Sequence, residues 1–406
     1  MMSDFQHLLS QRTQTMQRNQ IREILKVVSQ PGMVSLAGGI PAPESFPIEE
    51  MYQINEAVLD RYGAAALQYD RTEGFAPFLE TLAGYLTDKG IAATADELLV
   101  FNGSQSALDT LGKVLLSPGD CIALESPSYL GALSAFGVYQ PRYISIASDD
   151  EGILPEALDA ALERHAIKFI YLVTTFQNPT GRTMSRQRRQ QIADIVKRRR
   201  ALVVEDDPYS DLRYRGEALP PLHSFAPGNT VYISTLSKIF APGLRLGFCL
   251  APALIRDWLC TAKQSADLHS NTYAQALAAE YIGSGVIARQ VPKIIALYAP
   301  RQAAMLAAMD AHIPAGYRWT KPEGGMFIWI EGPPGVDGEA LYWRAVEQKV
   351  AFVPGKYFYM NPADGLPTMR LNFTRVDEAA IERAIATLGR VMRENPRDES
   401  SRKRIN

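Results

Sequence analysis

Cysteine is scarce: the 406 residues hold three, Cys121, Cys249 and Cys260, too few and too scattered for a disulfide framework or a thiolate metal site. Each is expected to be a buried thiol. Histidine is thin as well, and His7, His165, His223, His269 and His312 form no short ligating spacing, so a structural or surface role is expected for each. Excess charge of one sign is missing: Lys and Arg total 42 against 44 Asp and Glu, a formal charge of -2. With no long basic stripe in the body of the chain, nucleic acid is not an expected partner. The basic run between Gln187 and Arg200 is interleaved with Ile192, Ile195 and Val196 at helical spacing, and reads as the solvated face of a packed helix. No apolar run reaches the roughly 18 residues of a membrane span, and the first residues lack an apolar signal core, which points to a soluble cytoplasmic protein.

What is present is apolar residue, 47% of the chain, enough for a large core and a smaller companion. A short helix is expected at Ile21 to Val28, stopped by Pro31 and Gly32. The following SLAGGIPAPESFP is too rich in Gly and Pro for a long regular element and reads as an ordered arm. Phe75, Phe78, Leu79, Leu82 and Leu86 mark one helix face. From Leu98, short apolar strands (LLVF, CIAL, FIYLV, ALVV, VYIST) alternate with amphipathic helices, which argues for a mainly parallel sheet flanked by helices. Long helices follow, and then GGMFIWIEG, VAFVPG and TMRLNFT with two helices make a small α/β domain. The expected division is an arm at 1–45 serving the small domain and the active site, a large domain at 46–295, a small domain at 296–393 and a tail at 394–406. No internal repeat is visible.

The chemistry gathers at strand ends. STLSK puts Lys238 just beyond VYIST, at the edge of a parallel sheet where ligands bind. Alone, such a lysine is an ordinary surface group. Thr235, Ser237 and Arg245 beside it supply two hydroxyls and a cationic fork suited to a phosphate ester. In NGSQSALDTL, Ser104 and Gln105 open a helix whose first N–H groups favour an anion, although a plain Ser N-cap explains Ser104 equally well. Asp206 follows the buried ALVV and needs a cation or strong donor, which a pyridinium nitrogen would provide. Tyr209 and Asn178 offer donors for a phenolate oxygen, and Tyr129 an aromatic face for a planar ring. Each has a bland alternative in a cap, a turn or a core.

From SLAGGIP to MRLNF the chain resembles the fold-type-I pyridoxal-5'-phosphate (PLP) aminotransferases, in the branch of 2-aminoadipate, kynurenine and broad aromatic or branched-chain enzymes. QNPTG, VVEDDPY and the SKxxxPGLRxGF pattern carry the resemblance together. It implies a PLP-dependent transferase of amino-acid metabolism, moving an amino group between an L-amino acid and a 2-oxo acid, with 2-oxoglutarate as acceptor. Another PLP reaction, such as decarboxylation or β-elimination, is the alternative, because residues alone do not fix substrate orientation. By resemblance, Lys238 forms the Schiff base and carries the proton, Asp206 partners the ring nitrogen and Tyr129 stacks on the ring. Asn178 and Tyr209 donate to the phenolate, while Ser104, Gln105, Thr235, Ser237 and Arg245 cradle the phosphate. Thr235 stands where Ser is usual, its hydroxyl keeping the donor. Tyr69 is similar to the tyrosine that reaches the neighbouring subunit's phosphate in a homodimer with shared sites. Arg370 is similar to the clamp on the substrate 1-carboxylate, Gly38 and Gly39 to the substrate-contacting arm, and Arg22 to the arginine that receives a distal carboxylate. Arg22 also fits a helix position from which an arginine merely snorkels to solvent.

Overall fold

The structure is a computed structural model that describes residues 5–14, 16 and 31–394. The helix expected at Ile21 to Val28, with Arg22, and the tail from 395 onward lie outside the described residues. Strands in chain order are β1 Val34–Ser35, β2 Leu98–Asn102, β3 Cys121–Glu125, β4 Arg142–Ile146, β5 Ser148–Asp149, β6 Gly152–Ile153, β7 Ile167–Leu172 and β8 Val203–Asp206. They continue as β9 Thr230–Thr235, β10 Leu246–Leu250, β11 Arg318–Trp319, β12 Phe327–Glu331, β13 Val350–Ala351, β14 Val353–Pro354 and β15 Thr368–Asn372.

Seven strands form one sheet in the order β2-β10-β9-β8-β7-β3-β4. Its pairs are parallel except where β10 runs antiparallel to both β2 and β9. Every residue of β3, β8 and β10 is buried, because helices cover both faces, and continuous apolar runs follow from that double burial. The helix Ser104–Leu115 buries Ala107, Leu108 and Leu111 on one stripe, as its period requires. Ser185 caps Arg186–Arg199 by accepting from the Arg188 N–H at 3.2 Å.

Two expectations need correction. Arg189 is not on a solvated face: it is fully buried. Its guanidinium donates to the Met184, Pro220 and Thr174 carbonyls and to Thr175 Oγ1, all at 2.9 Å. A fork with five donors is satisfied there by acceptors that loops leave free, which makes a buried arginine tolerable. Cys260 is partly exposed, whereas Cys121 and Cys249 are buried.

The second sheet, β11-β12-β15-β14, is antiparallel and sets Trp329 opposite Arg370. Helices Gly338–Glu347 and Glu378–Arg393 accompany it, and the helix Val286–His312 precedes it. The arm joins this part of the fold: β1 pairs in parallel with β13, the Leu36 N–H donates to the Ala351 carbonyl and the Leu36 carbonyl accepts from Asn372. That pairing fixes Gly38 and Gly39 close to Arg370. Among the described residues, no helix is long and apolar enough to cross a membrane, and no group of three His, Cys, Asp or Glu is placed to hold a metal ion.

Candidate active site

Because β3, β7, β8 and β9 run the same way, the loops that leave them open on one edge of the sheet. A cavity of about 270 Å³ lies there, lined by Gly39, Ser104, Gln105, Tyr129, Asn178, Asp206, Tyr209, Thr235, Ser237, Lys238, Arg245 and Arg370. Residues spread over some 330 positions of sequence therefore meet in one place. Gly38 sits one residue back from the lining. Tyr69 is not brought to this cavity: it is 77% exposed and packs edge-on against His269, with ring centroids 5.5 Å apart. A larger depression of about 600 Å³ lies between Arg182, Arg318 and Lys321, but its cations are already paired with Asp150, Glu331 and Asp310. It lacks the strand-end amine and is not the reactive centre.

Asp206 ends β8 fully enclosed. Its Oδ2 accepts from the Tyr171 hydroxyl at 2.8 Å, and its Oδ1 has no partner. Burial pushes this acid up to about 7, the Tyr171 hydrogen bond opposes the rise, and the neighbouring Asp207 adds to it. A buried carboxylate oxygen without a donor calls for a cationic N–H. The Lys238 amine donates to the Gly39 carbonyl at 3.0 Å. Burial, and then the charges of Arg370 and Arg245, lower it to about 8, so a neutral amine is accessible near neutral pH.

Arg370 is buried between rings, 4.2 Å from the centroid of Phe327 and 5.0 Å from that of Phe358. It donates to Asn178 Oδ1 and to the Ala37 carbonyl, each at 2.8 Å, and its Nε–H has no partner. Burial brings it down to about 10, still a cation at neutral pH. Asn178 Nδ2 lies 3.5 Å from the Tyr209 hydroxyl. Burial raises the Tyr209 hydroxyl, and raises that of Tyr129 to about 12, so both keep a proton to donate.

The opposite end of the cavity is built for an anion. Gly103 caps the helix Ser104–Leu115 without a side-chain cap, which leaves the first N–H groups free of intrahelical partners. Its φ is +84°, and a Cβ there would lie 2.3 Å from Arg245 Nη2. A Cβ on Gly247 would lie 2.3 Å from the Ser104 nitrogen. Two glycines thus let a guanidinium and a helix start converge. The Thr235 hydroxyl, expected to donate outward, has a single proton and the Leu246 carbonyl 2.7 Å away to receive it. With Ser237 Oγ at 2.9 Å, Thr235 braces Ser237 instead.

This donor set fits pyridoxal 5'-phosphate. The unpartnered Asp206 Oδ1 could take the ring N–H, the helix start with Ser237 and Arg245 could hold the phosphate, and Lys238 could reach the aldehyde carbon. Comparison with known proteins agrees. The chain belongs to the aminotransferases of class I and II, whose family model matches residues 47–388. It is a PLP-dependent transaminase, which sets aside decarboxylation and elimination as its main reaction. It is 41% identical over 399 residues to aromatic-amino-acid aminotransferase 1 of Thermococcus litoralis, covering 96% of this chain and 95% of that one. The solved multiple substrate aminotransferase of Thermococcus profundus is 41% identical, with a TM-score of 0.92 over 98% of this chain and 100% of that one. The α-aminoadipate aminotransferase of Thermus thermophilus, solved with N-(5'-phosphopyridoxyl)-L-leucine, is 37% identical, with a TM-score of 0.88 and coverage of 96% and 98%.

Three neighbours escape a reading of the sequence. Tyr171 looks like one more apolar residue of FIYLV, and its signal is a hydroxyl in a strand that pairs with the one ending in Asp206. Glu125 ends β3 wholly buried, where burial raises it to about 7 and the Val173 N–H donates to it at 3.1 Å. Phe327 lines the cavity from the second sheet, a contact no local pattern announces.

Proposed function

We propose that this enzyme transfers amino groups from a broad set of amino acids, acidic and large neutral, to 2-oxo acids such as 2-oxoglutarate. The observation that carries the assignment of the centre is the Lys238 amine and the unpartnered Asp206 Oδ1 facing one cavity. Bound PLP supplies an electron sink for the pair released when the substrate Cα–H bond is broken. Lys238, in its neutral form, would hold the cofactor through its amine and would take the proton from the substrate Cα. Asp206 would keep the ring nitrogen protonated, and Tyr209 and Asn178 would donate to the phenolate oxygen. Tyr129 would lie against the ring face, while the helix start, Ser104, Ser237 and Arg245 would hold the phosphate. Arg370 receives the substrate carboxylate on its remaining N–H donors, with Asn178 and the Gly38–Gly39 arm around it. Replacing Lys238 with Ala tests the centre: covalent attachment of the cofactor and transamination should both vanish.

Breadth of substrate is supported by the relatives, one named for aromatic amino acids, one for multiple substrates and one for α-aminoadipate. Arg22 is the proposed receiver of a distal carboxylate. In a panel of glutamate, 2-aminoadipate and a large neutral amino acid, Arg22→Ala should depress the dicarboxylic reactions most, and equal fractional losses in kcat/KM refute that role. The proposed assembly is a homodimer with composite sites. Tyr69 and Leu67 stand 77% and 70% exposed, away from their own chain's cavity. Mixed dimers of Lys238→Ala and Tyr69→Phe protomers should regain activity in one site. No recovery in verified heterodimers counts against sharing.

A further inference from the structure

We propose that Tyr171 is a positioning residue for Asp206: its hydroxyl, donating to Oδ2, turns Oδ1 into the cavity and favours the ionised carboxylate. The inference rests on Asp206 being the partner of the cofactor ring nitrogen. Tyr171 lies on β7 opposite Val204 of β8, and Asp206, two residues further along, shares the face of Val204. From that register the side chain reaches the carboxylate at 2.8 Å. The strand around it, Phe169, Ile170 and Leu172, is apolar and buried, and Tyr171 itself has no exposed surface. Its ring meets Phe136 edge-on, centroids 5.7 Å apart. Packing alone would be served by phenylalanine; the hydroxyl is accounted for by its one acceptor, Asp206.

The electrostatic surroundings make that contact matter. Burial drives the Asp206 proton on, and Asp207 next to it does the same; the Tyr171 hydrogen bond pulls the other way. The charge of the same carboxylate acts on Tyr129 and Tyr209 in the loops after β3 and β8, and the charge of Glu125 acts on Tyr171 from β3. Burial, with the charge of Asp206 behind it, holds the Tyr171 hydroxyl far above its ordinary value, so it stays a donor throughout the working range. One carboxylate oxygen tied back to the sheet leaves the other aimed at the cavity. A carboxylate so fixed loses no orientation when it meets a ring N–H.

The test is a double-mutant cycle on the holoenzyme, with a titration of the apoenzyme beside it. Tyr171→Phe should lower kcat about tenfold with KM for both substrates within about twofold, the scale of one hydrogen bond to a charged group. In apoenzyme, the Asp206 carboxyl should titrate about one unit higher in the Phe variant. Isotope-edited infrared spectroscopy reads this, the band being assigned by its loss in Asp206→Asn. In an Asp206→Asn background, Tyr171→Phe should change kcat by less than about twofold, because the group it acts through is gone. An unmoved Asp206 titration, or the same tenfold loss repeated in the Asn background, overturns the proposal. A variant that merely packs badly gives that repeated loss and so counts against it. Asp206→Asn alone, if it leaves Cα proton abstraction unchanged, instead sinks the underlying role of Asp206 before Tyr171 is touched.

Discussion

Gly103→Ala offers a way to separate backbone strain from cofactor recognition. The residue has φ +84°, and its new methyl would lie 2.3 Å from Arg245 Nη2 and 2.8 Å from Cζ. With ψ at 158° this positive-φ backbone is nearly reserved for glycine and costs an L residue about 1–3 kcal/mol, and that cost is borne with or without cofactor, so it cancels in the binding constant. The displaced guanidinium does not cancel. Losing a hydrogen bond to a charged phosphate oxygen costs about 1.5–3 kcal/mol. At 1.4 kcal/mol per factor of ten, the Kd for PLP should rise about 10- to 100-fold. Titrating apoenzyme with PLP measures this, and denaturant unfolding of the same apoenzyme reports the strain separately. Pyridoxal, which lacks the phosphate, serves as the control and should bind both proteins alike. A Kd for PLP within about twofold of the parent, or an equal loss for pyridoxal, refutes the account of why glycine stands there.

Lys238→Ala should lower transamination by several powers of ten and remove the absorbance of the covalently held cofactor; near-parental turnover would refute its role. Arg370→Ala should raise KM for amino and oxo substrates together and cost about 2–5 kcal/mol in kcat/KM, since it breaks a buried charge contact common to all of them. A loss confined to one side-chain class points elsewhere. Covalent capture of PLP by apoenzyme needs the neutral Lys238 amine, whose value is lowered to about 8 by burial first and by Arg370 and Arg245 next. The capture rate followed by stopped flow should therefore climb up to about pH 8 and level off above it, and Arg370→Ala should move that inflection upward by relieving a like charge.

Much of this centre was legible because parallel strands advertise themselves. LLVF, CIAL, FIYLV, ALVV and VYIST all fall on or run into strands, and Ser104, Tyr129, Asn178, Asp206 and Lys238 beyond them line the cavity. β10 was harder to read, since LGFCL follows the reactive loop directly and an antiparallel strand enclosed on both faces carries no alternation. The helix Thr272–Gly283 buries ten of its 12 residues, so it has no amphipathic stripe to find. Arg189 misled for a related reason: in a run of cations, sequence reveals charge but not which guanidinium meets four acceptors in the interior. Tyr171 escaped because its function depends on which strand lies beside its own, and pairing order is set by the whole sheet.

The reversal of β10 has a mechanical meaning. An antiparallel strand begins where its parallel neighbours end, so the connection from β9 to β10 runs along the reactive edge and carries both Lys238 and Arg245. The two residues proposed to grip the cofactor thus sit on one short tether, anchored at each end by adjacent strands of the same sheet. Arg370, by contrast, hangs from β15 in the other sheet. Rocking one sheet against the other would swing the substrate's handle past a cofactor that stays put, whereas lengthening the tether by even one residue would loosen both of its grips together.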